Sequence, residues 1–319
     1  MMKIGLDVMG GDFAPEITTL GAIAAFEHLR KDARLVLIGD TKAIENICSR
    51  EGFDSSGFDI VDAPDTIKMS DHLAKTFTQK TNSSIYVGYE MLSNGKLDAF
   101  ASAGDTGAMM VGAMFTVKSI PGIHRPGIAV AAPRVDGGNN ILIDVGLNPD
   151  CKPDVLYQYG LLGSLYAEFV HNIPNPRVAL LNIGSEAKKG DTLTKATYPL
   201  MEASTDYNFI GNVEGHEIFL NKADVIVCDG FVGNVILKAA EGFKQILVNR
   251  GIYDDFFESF NPDNYGGTPV LGINSNVIIG HGASNVFAIK NMILLAQNVI
   301  EADLPSKIKK IFTPNNEQN

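Results

Sequence analysis

The chain has 319 residues, 45% hydrophobic and 20% charged, an ordinary globular make-up with material for one large domain or two moderate ones. A formal net charge of −11 excludes bulk nucleic-acid binding and requires that any anionic substrate or acidic partner meet local positive charge. Apolar runs such as Ile128 to Pro133 are too short to cross a bilayer, and the scattered Cys48, Cys151 and Cys228 offer neither a disulfide framework nor zinc-ligand spacing, so a reducing cytoplasm fits.

In chain order, Lys3–Val8 is a short apolar strand with an acid inside it and no cleavage site, so it reads as a first strand and not as a signal peptide. Met9-Gly10-Gly11-Asp12 follows, with a helix start at Pro15-Glu16. Arg34–Gly39 is a buried strand leading to a helical segment from Thr41 through Arg50, and Phe58–Val61 is a further strand candidate. Ala99–Ala103 precedes Gly104-Asp105-Thr106-Gly107 and an Ala/Met-rich helix. Ile128–Ala132 and Asn140–Asp144 straddle a Gly-Gly turn, a hairpin signal. A long helix is expected from Pro153 to about His171, then strands at Val178–Ile183 and Val225–Cys228, the second followed by a helix over Val235–Asn249. Asn276–Ile279 leads into Gly280-His281-Gly282-Ala283-Ser284 and a last long helix.

Alternating strands and helices imply an α/β fold with a mostly parallel sheet, and in such sheets ligands sit at the carboxyl ends of the strands. That rule puts the glycine-rich turns on one rim. The chain reads as one catalytic unit over 1–319, with a break in rhythm near 120–140 that hints at a central subdomain over about 120–265; the tail 313–319 is expected to be disordered.

Several turns suit anion chemistry. Gly10-Gly11-Asp12 lets backbone approach an anion at a helix start, or is simply a tight strand–helix turn. Ser102 to Gly107 offers hydroxyls and backbone donors, with Asp105 or Thr106 as a site residue or as a helix cap. Lys188 and Lys189 lie in a glycine-bounded loop after a strand, either gripping a phosphate or merely solvated. Asn234 is placed near a helix start, able to cap it or to donate to an oxyanion, and His281 is laid open between two glycines. Neither nucleotide-binding glycine fingerprint occurs, nor a GxSxG elbow, and the acids show no metal spacing. The inventory fits a reaction in which a bound anion is the nucleophile and the protein supplies position and charge. Three phenylalanines, Phe256, Phe257 and Phe260, face either a membrane, a second subunit or the chain's own core.

Together and in order, these turns resemble the PlsX family of phosphate acyltransferases. The resemblance is carried by Asp7 to Pro15, Ser102 to Ala108, Arg125-Pro126, Leu181 to Gly184, Lys189-Gly190, Gly211-Asn212-Val213-Glu214-Gly215, Cys228 to Asn234, Tyr265-Gly266-Gly267 and Gly280 to Ser284. It implies a Rossmann-like three-layer α/β/α fold related to phosphotransacetylases and to isocitrate and isopropylmalate dehydrogenases, mostly parallel with an antiparallel portion. It further implies reversible acyl transfer from long-chain acyl carrier protein to inorganic phosphate, by a cytoplasmic homodimer held peripherally at the membrane and feeding a downstream glycerol-3-phosphate acyltransferase in phospholipid synthesis. Lys189 and Asn234 match the family's catalytic lysine and asparagine, and Gly10, Gly11, Asp12, Ser102, Gly104, Thr106, Gly107, His281 and Ser284 are the expected phosphate or substrate contacts. No cofactor and no metal is expected. The chain departs from the family at Asp105, usually Asn, at Gly127, usually Ala, and at Leu147, usually Ala. The alternatives are a phosphotransacetylase acting on coenzyme A thioesters, a decarboxylating dehydrogenase, and a non-catalytic scaffold.

Overall fold

The computed structural model describes residues 1–67 and 73–312; the tail expected to be disordered lies outside the described residues. Its elements run β1 (Met2–Asp7), α1 (Glu16–Phe26), β2 (Ala33–Gly39), α2 (Thr41–Arg50), β3 (Asp59–Asp62), α3 (Leu73–Gln79), α4 (Ser84–Ser93), β4 (Ala99–Ser102) and α5 (Thr106–Gly112). They continue with β5 (Gly127–Pro133), β6 (Asn139–Ile143), α6 (Pro153–Phe169), β7 (Arg177–Asn182), α7 (Thr192–Glu202), β8 (Asn208–Glu214), β9 (Val225–Val227), α8 (Gly230–Asn249) and α9 (Asp255–Glu258). The last are β10 (Thr268–Leu271), β11 (Asn276–Ile279), α10 (Val286–Glu301) and α11 (Leu304–Phe312). Two compact units result: Met1–Lys118 with Pro262–Asp303, and Ser119–Asn261 with α11.

In the first unit the strand order is β3-β2-β1-β4-β11-β10, parallel throughout except for the β10–β11 pair. Ile4 through Asp7 are buried without alternation, as are Leu35 through Gly39. Consecutive burial means that both faces of the sheet are covered, the condition for parallel strands. Helix α4 packs on β1, β2 and β4, and α10 packs on β1, β4 and β11.

The second unit repeats the plan with order β5-β6-β9-β7-β8, where only the β5–β6 hairpin is antiparallel. Helix α6 buries twelve of its residues and packs on β6, β7 and β9. Elsewhere in this sheet Leu142, Ala179, Leu181, Val213 and Ile226 form a cluster closed by Phe219 and by Ile236 and Leu237 of α8. Phe256 and Phe260 stack edge-on against Phe219, so these rings pack on the chain itself. Both units therefore have the mostly parallel, three-layer α/β/α build with an antiparallel portion.

Six of the helices start where a short polar side chain ends the preceding strand or turn. Asp40, Ser83, Asp105, Asp191, Asp229 and Asn285 each accept a backbone N–H from the first turn of α2, α4, α5, α7, α8 and α10. One of these corrects the sequence expectation. Helix α8 begins at Gly230, five residues before the expected Val235, so Asn234 lies inside the helix and Asp229 caps it by accepting from Val232 N–H at 2.9 Å.

A short helix start at this point needs glycine. A Cβ built on Gly233 would fall 2.0 Å from the Asp144 carbonyl oxygen, a backbone atom that cannot step aside. Gly233→Ala should therefore destabilise the fold by about 1–3 kcal/mol in urea denaturation. Gly215→Ala, whose Cβ would meet nothing within 4 Å, should stay within about 0.5 kcal/mol. Equal stability of the two variants would contradict the close approach.

Candidate active site

The ends of β1, β4 and β11 lie side by side, and three turns leave that edge of the first unit. Asp7, the last residue of β1, is 0% exposed. Its Oδ2 accepts from the Ser102 hydroxyl at 2.6 Å, and its Oδ1 accepts from Met9 N–H at 3.0 Å. The Ser102 Oγ in turn accepts from Gly104 N–H at 2.9 Å. Gly10 lies against this group so closely that a Cβ there would sit 2.3 Å from Asp7 Oδ2. Asp12 N–H donates to the Gly282 carbonyl at 2.8 Å, and Gly280 N–H to the Ser102 carbonyl at 2.8 Å, tying the three turns together.

The candidates of this rim thus differ in what they offer. Gly10, Gly11, Asp12, Gly104 and His281 lie on the gathered turns. Ser102 lies there too, but its hydroxyl is buried and committed to Asp7. Asp105 is a helix cap, accepting from Ala108 N–H at 2.8 Å through a side-chain oxygen that Asn also possesses. Thr106 and Gly107 form the first turn of α5, with Thr106 exposed. The exposed His281 accepts from Ala283 N–H at 3.3 Å through Nδ1, while the buried Ser284 donates its N–H to the His281 carbonyl at 3.0 Å.

The second unit has an equivalent rim at the ends of β6, β9 and β7, which are parallel neighbours in that order. Asp144, just past β6, is 0% exposed and accepts from Ile128 N–H at 2.9 Å and from Asn148 N–H at 2.7 Å. Asn148 Nδ2 donates to the Pro126 carbonyl at 2.7 Å, and its Oδ1 accepts from Arg125 at 3.4 Å. The start of α8 locks onto this loop: Gly230 N–H donates to the Asn148 carbonyl and Gly146 N–H to the Gly230 carbonyl, at 2.8 and 3.0 Å. Asn234, exposed one turn into α8, passes close to Gly146, whose added Cβ would lie 3.4 Å from Asn234 Oδ1. Lys189 is on the loop that leaves β7, the strand paired with β9. Its side chain is half-exposed, and the Glu186 carboxylate lies 4.0 Å from its ammonium.

Burial raises the pKa of both Asp7 and Asp144 above the ordinary carboxylate value, opposed in each case by the hydrogen bonds they accept. Burial also disarms the thiols. Cys151 is pushed up to about 11, Cys228 is raised well above its ordinary value, and Cys48 is raised as well. A thiolate nucleophile is disfavoured at all three. Among the described residues no group of three or more His, Cys, Asp or Glu could hold a metal ion, and no helix is long and apolar enough to cross a membrane.

Motif reading passed over Asp7, Asp144 and Asn148 as site residues, although they organise the turns that it singled out. The available signal was an acid closing an apolar strand, Ile4-Gly5-Leu6-Asp7 and Ile141-Leu142-Ile143-Asp144. A carboxylate at such a place is buried, and a buried carboxylate demands donors from the turns around it.

The model of a family described as "Fatty acid synthesis protein" matches residues 2–255. Curated proteins named phosphate acyltransferase are similar over nearly the whole length. The one from Dictyoglomus thermophilum is 39% identical, with 96% of each chain covered, and the one from Desulforamulus reducens is 41% identical, with 97% of each covered. Among solved structures, a phosphotransacetylase from Streptococcus pyogenes shares the fold with TM-score 0.66 at 17% identity, covering 93% of this chain and 94% of that one. A 4-hydroxythreonine-4-phosphate dehydrogenase from Klebsiella pneumoniae does so with TM-score 0.59 at 13% identity, covering 94% and 100%.

Proposed function

The chain belongs to the PlsX family of phosphate acyltransferases, and on that premise we propose that it transfers a long-chain acyl group from acyl carrier protein to inorganic phosphate. A phosphate oxygen attacks the thioester carbonyl carbon, forming a C–O bond and a tetrahedral oxyanion. Collapse breaks the C–S bond, so acyl phosphate leaves and the carrier thiolate takes up a proton. Lys189 and Asn234 donate to the oxyanion, whose charge exists only between substrate and product. The observation that carries this reading is their placement on the segments that leave two paired parallel strands, β7 and β9, at the same edge. Within the first unit, the turns holding Gly10, Gly11, Asp12, Ser102, Gly104, Thr106, Gly107, His281 and Ser284 serve anion binding, chiefly through backbone N–H groups.

An acidic carrier needs positive charge on a protein of net charge −11. Lys188 and Lys195, both exposed on the loop and helix beside Lys189, supply it. The assay is acyl phosphate trapped as a hydroxamate, with palmitoyl groups on carrier protein or on coenzyme A. Lys189→Ala and Asn234→Ala should each lower turnover about a hundredfold with an unchanged urea midpoint. Lys188→Glu with Lys195→Glu should raise KM for the carrier thioester alone. Near-normal turnover in both alanine variants defeats the mechanism, and equal use of coenzyme A defeats the carrier.

The same reading includes a homodimer resting on a membrane. Of the twenty residues of α8 only Gly230 and Gly233 are buried. Val232, Val235, Ala239, Gly242 and Ile246 are exposed at the three–four spacing of a helix-packing seam, with Phe243 beside them. A second copy of α8 is the fitting cover, and the exposed Ile252 and Tyr253 beyond the helix suit a lipid surface. Phe243→Glu with Ile246→Lys should convert a dimer to a monomer in sedimentation. Ile252→Asp with Tyr253→Asp should abolish flotation with anionic vesicles and leave the dimer intact. A wild-type monomer that does not float refutes both parts.

A further inference from the structure

The motif Gly211-Asn212 has no part in the mechanism above, yet the structure gives it a specific geometry. Along β7 and β8, Val178 pairs with Phe209 but Leu180 pairs with Asn212, so β8 spends one residue more than its neighbour. The surplus is taken up beside Gly211, whose φ of +100° is rarely open to an L side chain. A one-residue shift sends the following side chains to the opposite face of the strand. Beyond the bulge Asn212 is 7% exposed, and its Nδ2 donates to the Glu186 carbonyl at 3.0 Å.

That carbonyl has a second donor. Lys189 N–H reaches it at 3.0 Å, so Asn212 holds the group that holds the amide of Lys189. The other side of Lys189 is fixed by Asn182, the last residue of β7. Asn182 Nδ2 donates to the Lys189 carbonyl at 3.1 Å, and its Oδ1 accepts from Ile183 N–H at 2.8 Å, joining the two ends of the loop. Asn182 is 9% exposed, so both amides work where water competes little. Lys189 itself has a flexible stem and a half-exposed side chain, so its aim depends on how firmly its backbone is held.

We propose that Asn182 and Asn212 are positioning residues for Lys189, acting as a two-sided clamp on the backbone of the loop over residues 183–189. This rests on the reading of Lys189 as an oxyanion donor. The clamp explains why an edge strand carries a bulge next to a buried asparagine. Without the bulge the amide would face the wrong side of β8, and the loop would be tied at one end only.

The test combines Asn212→Ala and Asn182→Ser, separately, with Lys189→Ala in the full chain. Two readouts are taken: kcat and KM for palmitoyl carrier protein, and the rate of tryptic cleavage after Lys188 and Lys189 followed by mass spectrometry. Each asparagine variant should be cut faster at this loop and lose roughly tenfold in kcat with KM unchanged. Added to Lys189→Ala, neither should lower the residual rate further, because the residue through which they act is gone. The clamp is refuted if kcat is unchanged in whichever asparagine variant folds, or if the loss is the same with and without Lys189. Failure of the underlying reading looks different, since there Lys189→Ala itself keeps wild-type turnover.

Discussion

A carboxylate with no access to water terminates an inner strand of each unit, and it can stay there only if donors surround it. Leaving an acid unpaired in a protein interior costs several kcal/mol, so Asp7 and Asp144 recruit the nearest polar groups, which belong to the turns leaving the same sheet edge. Ser102 and Met9 answer in one unit, and Ile128 and Asn148 in the other. The turns are then drawn in until a side chain no longer fits. Gly10 against Asp7, and Gly230 and Gly233 against Asp144 and its loop, are places where this limit is reached. Glycine in these turns is thus a consequence of buried charge as much as of any ligand.

Rims built in this way, one in each unit, carry backbone donors and are poor in nucleophiles. Burial raises the pKa of all three thiols, and the Ser102 hydroxyl, spent on Asp7, is sealed from solvent. The remaining resources are a lysine, an asparagine and oriented N–H groups. They suit a reaction whose nucleophile arrives as a substrate and whose transition state needs only charge stabilisation and alignment. On the proposed reading, a negative net charge leaves the exposed lysines near β7 to meet an acidic carrier.

Much of the fold could be read from the amino acids, because strand–turn–helix alternation is written locally. Thr41–Arg50 and Asn276–Ile279 coincide with observed elements, and hairpin β5–β6 follows from its Gly-Gly turn. Signals failed where glycine or proline does an unusual job. Gly230 and Gly233 weaken the helical pattern at the start of α8, so the helix was expected to begin at Val235 when Asp229 in fact caps it. Pro199 inside α7 and Gly211 within β8 hid those two elements in the same way. Of the candidate site, single turns were legible, but not their mutual bonds. Ser102 and Asp7 are 95 residues apart in the chain, and nothing local in either segment announces that one hydroxyl is spent on the other.

The decisive question is whether phosphate itself attacks the thioester. Intact mass spectrometry of the enzyme after incubation with palmitoyl carrier protein and no phosphate answers it. The account predicts an unmodified chain of 34.3 kDa and no release of carrier thiol until phosphate is added. A palmitoylated enzyme, with one equivalent of thiol released in the absence of phosphate, would contradict it.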